Sequence, residues 1–326
     1  MRWIGRSWLE KARPTIERRV LAPLGAVVET VAAVGVRARI SLVRQRAGVV
    51  RRFPAPARAG QSPGVVAVIT HLADPAGDGT VALARLRQTL DGLLESLGHT
   101  RLEIVLNTLP ARHVADALPE YLRTRVEVLE RAVAEPLFLG FEAQEEYVAR
   151  REAGDWFLYL EDDLVISDSL WLEKLEYFNG AAPAEAVLLP HRYELWNGRK
   201  VYIDLCSKGN PGENRTVNRL TRIEVGGWGF AEFENPHSGC YCLSRAQLAR
   251  WLATGRRWYG LASFQGPRES AATGCLEECF RLYKPDSDNM QFLEIRHQGT
   301  KYAEIYAGVP GITTSRSAAA RQQPRS

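Results

Sequence analysis

Three consecutive acids, Glu161, Asp162 and Asp163, close a run of aromatic and aliphatic residues, Trp156-Phe157-Leu158-Tyr159-Leu160. Such a run, preceded by a helix-like segment, predicts a strand buried on both faces of a parallel sheet, with its acids delivered at the carboxyl end. Three adjacent carboxylates repel one another and resist desolvation. A divalent cation relieves both problems. Hard oxygen donors in this number suit Mg²⁺ or Mn²⁺, which also bridge diphosphate oxygens. Read without chemistry, the same residues form an acidic strand-to-helix turn, with Ser167 or Asp168 capping the next helix.

The elements that must position these acids begin at Gly64-Val65-Val66-Ala67-Val68-Ile69-Thr70, a continuous apolar strand. Ligands of α/β sheets bind beyond the carboxyl ends of strands, which makes Thr70, His71 and the polar loop Asp74 to Thr80 candidates for a nucleotide base and ribose. Gly77 and Gly79 in that loop do not form a dinucleotide fingerprint. Leucines at three- and four-residue spacing predict a helix over Val81 to Leu97. A strand over Leu102 to Leu106 ends at Asn107, a further candidate for the bound nucleotide. A strand over Val126 to Leu129 and a helix over Phe141 to Arg151 complete an α/β half that leads into the acid-tipped strand. Beyond it, the pattern predicts a helix over Leu170 to Phe178 and strands over Ala186 to Pro190, Lys200 to Leu205 and Met290 to Arg296. Ser244 caps a further helix. Trp196, Trp228, Phe230 and Phe233 offer flat faces to a sugar or a lipid-linked acceptor, or else belong to the core.

The apolar strand ending in Glu-Asp-Asp, followed by LVISDSLWLEKL, resembles the DXD region of GT-A-fold glycosyltransferases. It is closest in flavour to N-acetylglucosaminyltransferases with an EDDL motif. The resemblance spans residues 64 to 300 and implies a GT-A-like, mixed, mainly parallel sheet flanked by helices. It implies a nucleotide-diphosphate sugar as donor and Mn²⁺ or Mg²⁺ on Glu161 and Asp163, with Asp162 near the nucleotide. His297, at a late strand end, resembles the histidine that completes the metal shell in many of these enzymes. Gly239 resembles the glycine of the loop placed against the donor sugar. A carboxylate near a late helix start is the expected base for an acceptor hydroxyl. Glu269 stands there, with Glu277 and Glu278 as rivals, although Arg268-Glu269 replaces the family's usual Glu-Asp pair. The implied reaction transfers a sugar to a hydroxyl of a glycan or lipid-linked acceptor, with inversion as the expected course. A sugar-phosphate nucleotidyltransferase is the first rival, disfavoured because the loop HLADPAGDGT lacks basic residues. A non-catalytic binding or scaffold protein is the second.

The 326 residues, 45% hydrophobic and 25% charged, suffice for one large domain with a core. Residues 1–52 carry twelve Arg or Lys against three acids, a net of +9, which leaves −5 for the rest of a chain of net +4. This basic helical arm suits an anionic membrane surface or a second subunit. Its apolar part is broken by Pro23, Gly25, Glu29 and Gly35, so neither a spanning helix nor a cleaved leader is expected. Few aromatics accompany its arginines, and nucleic acid is not an expected partner. Residues 53–63 read as a linker, 64–313 as the glycosyltransferase-like domain and 314–326 as a disordered tail. The expected place is the cytoplasm, peripheral to the inner face of a membrane if the arm meets lipid. The odd set Cys206, Cys240, Cys242, Cys275 and Cys279 lacks the spacing of a zinc knuckle and predicts buried reduced thiols.

Overall fold

Gly64–Thr70 and Trp156–Glu161, the two most continuously apolar stretches of the domain, lie side by side within a five-stranded sheet. The computed structural model describes residues 62–207, 210–211, 222–233, 235–254 and 266–306, all in the unit Arg58–Ser326. The expected arm (1–52), most of the linker and the tail fall outside these residues. Of the linker, Ser62 and Pro63 are described, and their carbonyls accept hydrogen bonds from Arg101.

In chain order the elements are β1 (Gly64–Thr70), α1 (Thr80–Leu97), β2 (Arg101–Thr108), β3 (Val126–Glu130), α2 (Ala143–Ala149), β4 (Trp156–Glu161), β5 (Leu164–Val165), α3 (Trp171–Asn179) and β6 (Ala186–Leu188). There follow β7 (His191–Trp196), β8 (Arg199–Tyr202), β9 (Ile223–Val225), β10 (Trp228–Glu232), β11 (Cys240–Ser244), α4 (Arg245–Leu252), β12 (Arg281–Pro285), β13 (Glu294–His297) and α5 (Lys301–Tyr306). The main sheet runs β11-β4-β1-β2-β3, parallel except for β11, which runs against β4. Two smaller four-stranded sheets, β9-β10-β12-β6 and β5-β13-β7-β8, mix parallel and antiparallel pairs. The fold is therefore the expected mixed α/β arrangement. Among the described residues, no helix is long and apolar enough to cross a membrane.

Both faces of β4 are covered, as its sequence requires. Phe157 and Tyr159 join a buried cluster with Val66, Val68, Tyr147, Tyr241 and Leu243. Tyr159 stacks on Tyr241 of β11 at 5.2 Å and 10°. The leucine stripe of α1 buries Leu86, Leu90, Leu93 and Leu97, and the helix lies so close to β5 that a Cβ on Gly92 would meet the Ile166 carbonyl at 2.6 Å. Ser244 caps α4 with Gln247 in a reciprocal capping box.

Several expected elements differ. The helix foreseen over Phe141 to Arg151 is shorter: its first two residues end a 3₁₀ run, Pro136–Glu142, and only α2 is α-helical. The strand foreseen from Met290 begins only at Glu294, after a 3₁₀ turn over Met290–Phe292. Strand β7 had no counterpart in the sequence reading. Phe230 and Phe233 are core rather than ligand surface: Phe230 packs edge-on against Phe178 and Phe292, and Phe233 against His191. Trp196 and Trp228 are half-buried. Cys240, Cys242 and Cys275 are buried free thiols and Cys279 is a half-buried one.

Candidate functional site

Strand register levels the carboxyl edge of the main sheet. Thr70 pairs with Asn107 on one side and with Glu161 on the other. Beyond that edge lies a cleft of about 490 Å³. Thr70, the loop residues Asp74 and Gly77 to Gly79, and all three acids Glu161, Asp162 and Asp163 line it. Arg85 of α1 and Arg268 bring positive charge to the same walls, and Val81, Pro136 and Leu137 give apolar surface.

Each acid of the triplet has its own partner. Glu161 turns toward Gly239, whose φ of +62° is a left-handed conformation that favours glycine. A Cβ there would stand 2.7 Å from Glu161 Oε2, and the Glu161 N–H donates to the Gly239 carbonyl at 3.1 Å. Asp162 Oδ2 lies 2.5 Å from Nδ1 of the fully buried His71, and the hydroxyl of Thr89 on α1 donates to the Asp162 carbonyl at 2.8 Å. Asp163 Oδ2 lies 3.5 Å from His297 Nε2.

That last meeting is built by β5. The chain leaves the triplet directly into Leu164–Val165, which pairs antiparallel with β13 so that His297 stands opposite Leu164. The N–H of Gln298 then donates to the Asp163 carbonyl at 2.8 Å. The other ring nitrogen of His297, Nδ1, lies 2.8 Å from Oε1 of the buried Glu194 on β7.

The electrostatics follow from this packing. Burial, helped by the charges of Asp163 and Asp162 and opposed by Arg192 and Arg268, pushes the Glu161 carboxyl up to about 7. Burial alone would raise Asp163 as well. The neighbouring His297, together with Arg192 and Arg85, outweighs it and holds Asp163 below the ordinary carboxylate value. Burial opposes protonation of His297, yet its bonds to Asp163 and Glu194 lift it to about 9. The acid cluster is thus answered in part by the protein's own cations. Even so, Asp163 Oδ1 is buried without a hydrogen-bond partner.

Behind the site, Asp204 is wholly buried between two cations. It accepts from the Arg192 backbone and guanidinium at 2.8 Å each and from Lys284 Nζ at 2.6 Å. Lys284 also donates to the His237 carbonyl at 2.9 Å. This network places Arg192 where its charge acts on Glu161 and Asp163.

The remaining expected residues are placed as follows. Asn107 is buried beside the edge and accepts from Arg131 at 3.1 Å, so it is not among the residues lining the cleft. His71 is withheld from the cleft by its own burial and reaches it only through Asp162. Glu269 is half-buried on the turn Pro267–Glu269, with its carboxylate folded back over Gly266, and is not itself among the residues lining the cleft, although its neighbour Arg268 is. Glu277 and Glu278 are exposed and do not line the cleft, because the intervening helical run carries them past it. Among the described residues, no group of three or more His, Cys, Asp or Glu is placed to hold a metal ion.

Sequence reasoning missed Arg85, Arg192 and Glu194. Arg85 left a faint signal, since it lies in the first turns of α1 on the face turned away from the leucines. Arg192 and Glu194 left none, because β7 itself was not foreseen.

No protein-family model matches the chain, and no curated protein does. Three similar solved structures give the scale of likeness. A 4-diphosphocytidyl-2C-methyl-D-erythritol synthase is 13% identical with a TM-score of 0.35, over 70% of this chain and 91% of that one. A GalNAc-T7 crystallised with UDP, GalNAc and Mn²⁺ is 12% identical with a TM-score of 0.39, over 76% of this chain and 48% of that one, so this chain spans about half its length. A structure described as a mycobacterial protein is 12% identical with a TM-score of 0.40, over 78% and 76%. Likeness at this level does not decide the activity, which must be argued from the cleft.

Proposed function

We propose that the chain is a metal-dependent glycosyltransferase that moves a sugar from a nucleoside-diphosphate sugar to a hydroxyl of a glycan or lipid-linked acceptor. One observation carries the reading: an acid-tipped strand opens into a cleft lined by Asp163, one of whose oxygens is buried and unpaired while the other lies beside His297, which stands behind the lining. A divalent cation held by few protein groups, the usual habit of Mg²⁺, would suit this small donor set. Asp163 would hold it, joined by His297 once the cation displaces the proton that Asp163 and Glu194 keep on its ring, with Glu161 or Asp162 assisting, and it would supply charge neutralisation at the leaving diphosphate.

The chain's own side chains account for the other requirements. Arg85 and Arg268 would meet phosphate charge at the cleft wall. Thr70, Asp74 and the backbone up to Gly79 would bind ribose and base, with Val81, Pro136 and Leu137 covering the base's apolar faces. Gly239 would keep the floor below Glu161 low enough for the sugar. Glu269 is the proposed base. It would take the acceptor's proton as the acceptor oxygen bonds the anomeric carbon and the bond to the diphosphate breaks, a single displacement that inverts that carbon. The basic arm, residues 1–52, would bring the domain to an anionic membrane surface on the cytoplasmic side or to a second subunit.

Arg85 favours a second reading, sugar-phosphate nucleotidyl transfer, because it brings to the first loop the positive charge that the loop's own sequence lacks. Products separate the two. Release of free nucleoside diphosphate from a panel of nucleotide sugars with Mn²⁺ and glycan acceptors supports glycosyl transfer. Pyrophosphate from a nucleoside triphosphate and a sugar phosphate supports the second reading. Neither product, and no nucleotide binding, leaves a non-catalytic protein.

A further inference from the structure

We propose that Glu194 is a positioning residue of this site, which sets the His297 imidazole with Nε2 toward Asp163 and couples that setting to the docking of α5. The inference rests on the reading of Asp163 and His297 as the cation-holding pair. Glu194 is fully buried on β7, and both of its oxygens are spoken for. Oε1 lies 2.8 Å from His297 Nδ1, and Oε2 accepts the backbone N–H of Ala303 in α5 at 2.6 Å. Its partner across the β7–β8 hairpin is Val201, which is wholly buried. An ionisable group in such a place is costly unless it is bonded, and packing alone does not call for an acid there.

The geometry resembles the arrangement that orients histidine ligands generally. A carboxylate engaging one ring nitrogen fixes the ring and presents the other nitrogen to a cation. Here the second nitrogen is the one that faces Asp163 at 3.5 Å. A run of contacts therefore leads from Asp163 by a 3.5 Å ion pair to His297, and from there by hydrogen bonds through Glu194 to Ala303, and the Gln298 N–H on the Asp163 carbonyl adds a second strut. A cation drawn to Asp163 and His297 steadies α5, and by reciprocity a loosened α5 weakens the cation's hold.

The test uses the full chain and Mn²⁺ alone. Free Mn²⁺ is followed by its paramagnetic signal while it is titrated into wild type, Glu194→Ala, Glu194→Gln and His297→Ala, and amide exchange over Lys301–Tyr306 is measured in the same samples. The expected result is that Mn²⁺ slows exchange at Ala303 in wild type. Glu194→Ala should weaken Mn²⁺ binding about 10- to 100-fold while near-UV circular dichroism remains native, and Glu194→Gln, which keeps one acceptor, should weaken it less. Mn²⁺ affinity in folded Glu194→Ala equal to wild type overturns the inference and leaves the proposed function standing. So does Mn²⁺ binding in wild type with no change in exchange at α5, a result that needs no variant to fold. Wild type that binds no Mn²⁺ overturns the proposed function and this inference together.

Discussion

His71 Nδ1 lies 2.5 Å from Asp162 Oδ2, across the carboxyl edge of the neighbouring parallel strands β1 and β4. The bond turns the middle acid of the triplet back toward the sheet. Glu161 is held against Gly239, and Asp163 is left with His297 on one side and an unpaired oxygen on the other. Three acids that look equivalent in sequence are thus given three different surroundings.

Removing His71 tests that division. His71→Ala leaves the half-buried Asp162 carboxylate without its ring partner, and hydrogen bonds to charged groups contribute about 1.5–3 kcal/mol. Urea denaturation should show a loss in that range. A loss below about 0.5 kcal/mol, the level of an ordinary surface substitution, would mean the contact contributes little to the fold.

Gly239 is expected to tolerate no side chain. Alanine there takes on the left-handed backbone cost, roughly 1–2 kcal/mol, and its Cβ must displace the Glu161 carboxylate, which an ideal Cβ would approach to 2.7 Å. Gly239→Ala should lower the urea midpoint and also weaken Mn²⁺-dependent nucleotide binding. An unchanged binding constant in the folded variant would show that the position of Glu161 does not matter to the site.

Asp204 should be among the most sensitive positions in the chain. Burial alone would raise its carboxyl, but Arg192 and Lys284 outweigh that and hold it far below the usual carboxylate range. Asp204→Ala strands two cations in the interior, and breaking a buried pair in this way costs about 3–5 kcal/mol. Equilibrium unfolding measures it directly, and a cost under about 1 kcal/mol, typical of an exposed pair, would contradict the network's role.

Buried histidine predicts a pH dependence. Burial, then the charge of Lys284, holds His191 down to about 4 from its ordinary 6.5, although Asp204 and the Pro285 carbonyl pull the other way. Between these values the unfolded chain binds the proton and the folded one does not, so stability from this residue is present above about 6.5 and is lost as pH falls toward 4. The limit is about 3 kcal/mol. Glu161, raised to about 7, contributes the opposite slope, but it does so in wild type and variant alike. The measurement is therefore the stability of wild type minus that of His191→Gln across pH 7 to 4. The difference should shrink on acidification, and a flat difference would contradict the assignment.

The strands that carry the edge were legible because β1 and β4 are apolar throughout, and a run with no polar face has few places to go. Thr70 and Asp163 could be named for the same reason, since both stand where such a run stops. His297 was legible only by resemblance. Nothing local marks it, and its place beside Asp163 depends on the two-residue strand β5, too short to leave a pattern. Arg192 and Glu194 were hidden more deeply. In His191–Trp196, polar and aromatic residues mix without strict alternation, because both faces are covered over its first four residues and its charged groups are satisfied by Asp204, His297 and α5. The acceptor base is the least legible, since Glu269, Glu277 and Glu278 follow one another within ten residues and no spacing singles one of them out.

The most direct test of the central claim is calorimetric titration of nucleoside diphosphates into wild type and Asp163→Ala, each with and without Mn²⁺. Binding in wild type that requires Mn²⁺ and disappears in folded Asp163→Ala is the predicted result. Binding that ignores both the cation and the substitution, or no binding of any nucleotide under any condition, would contradict it.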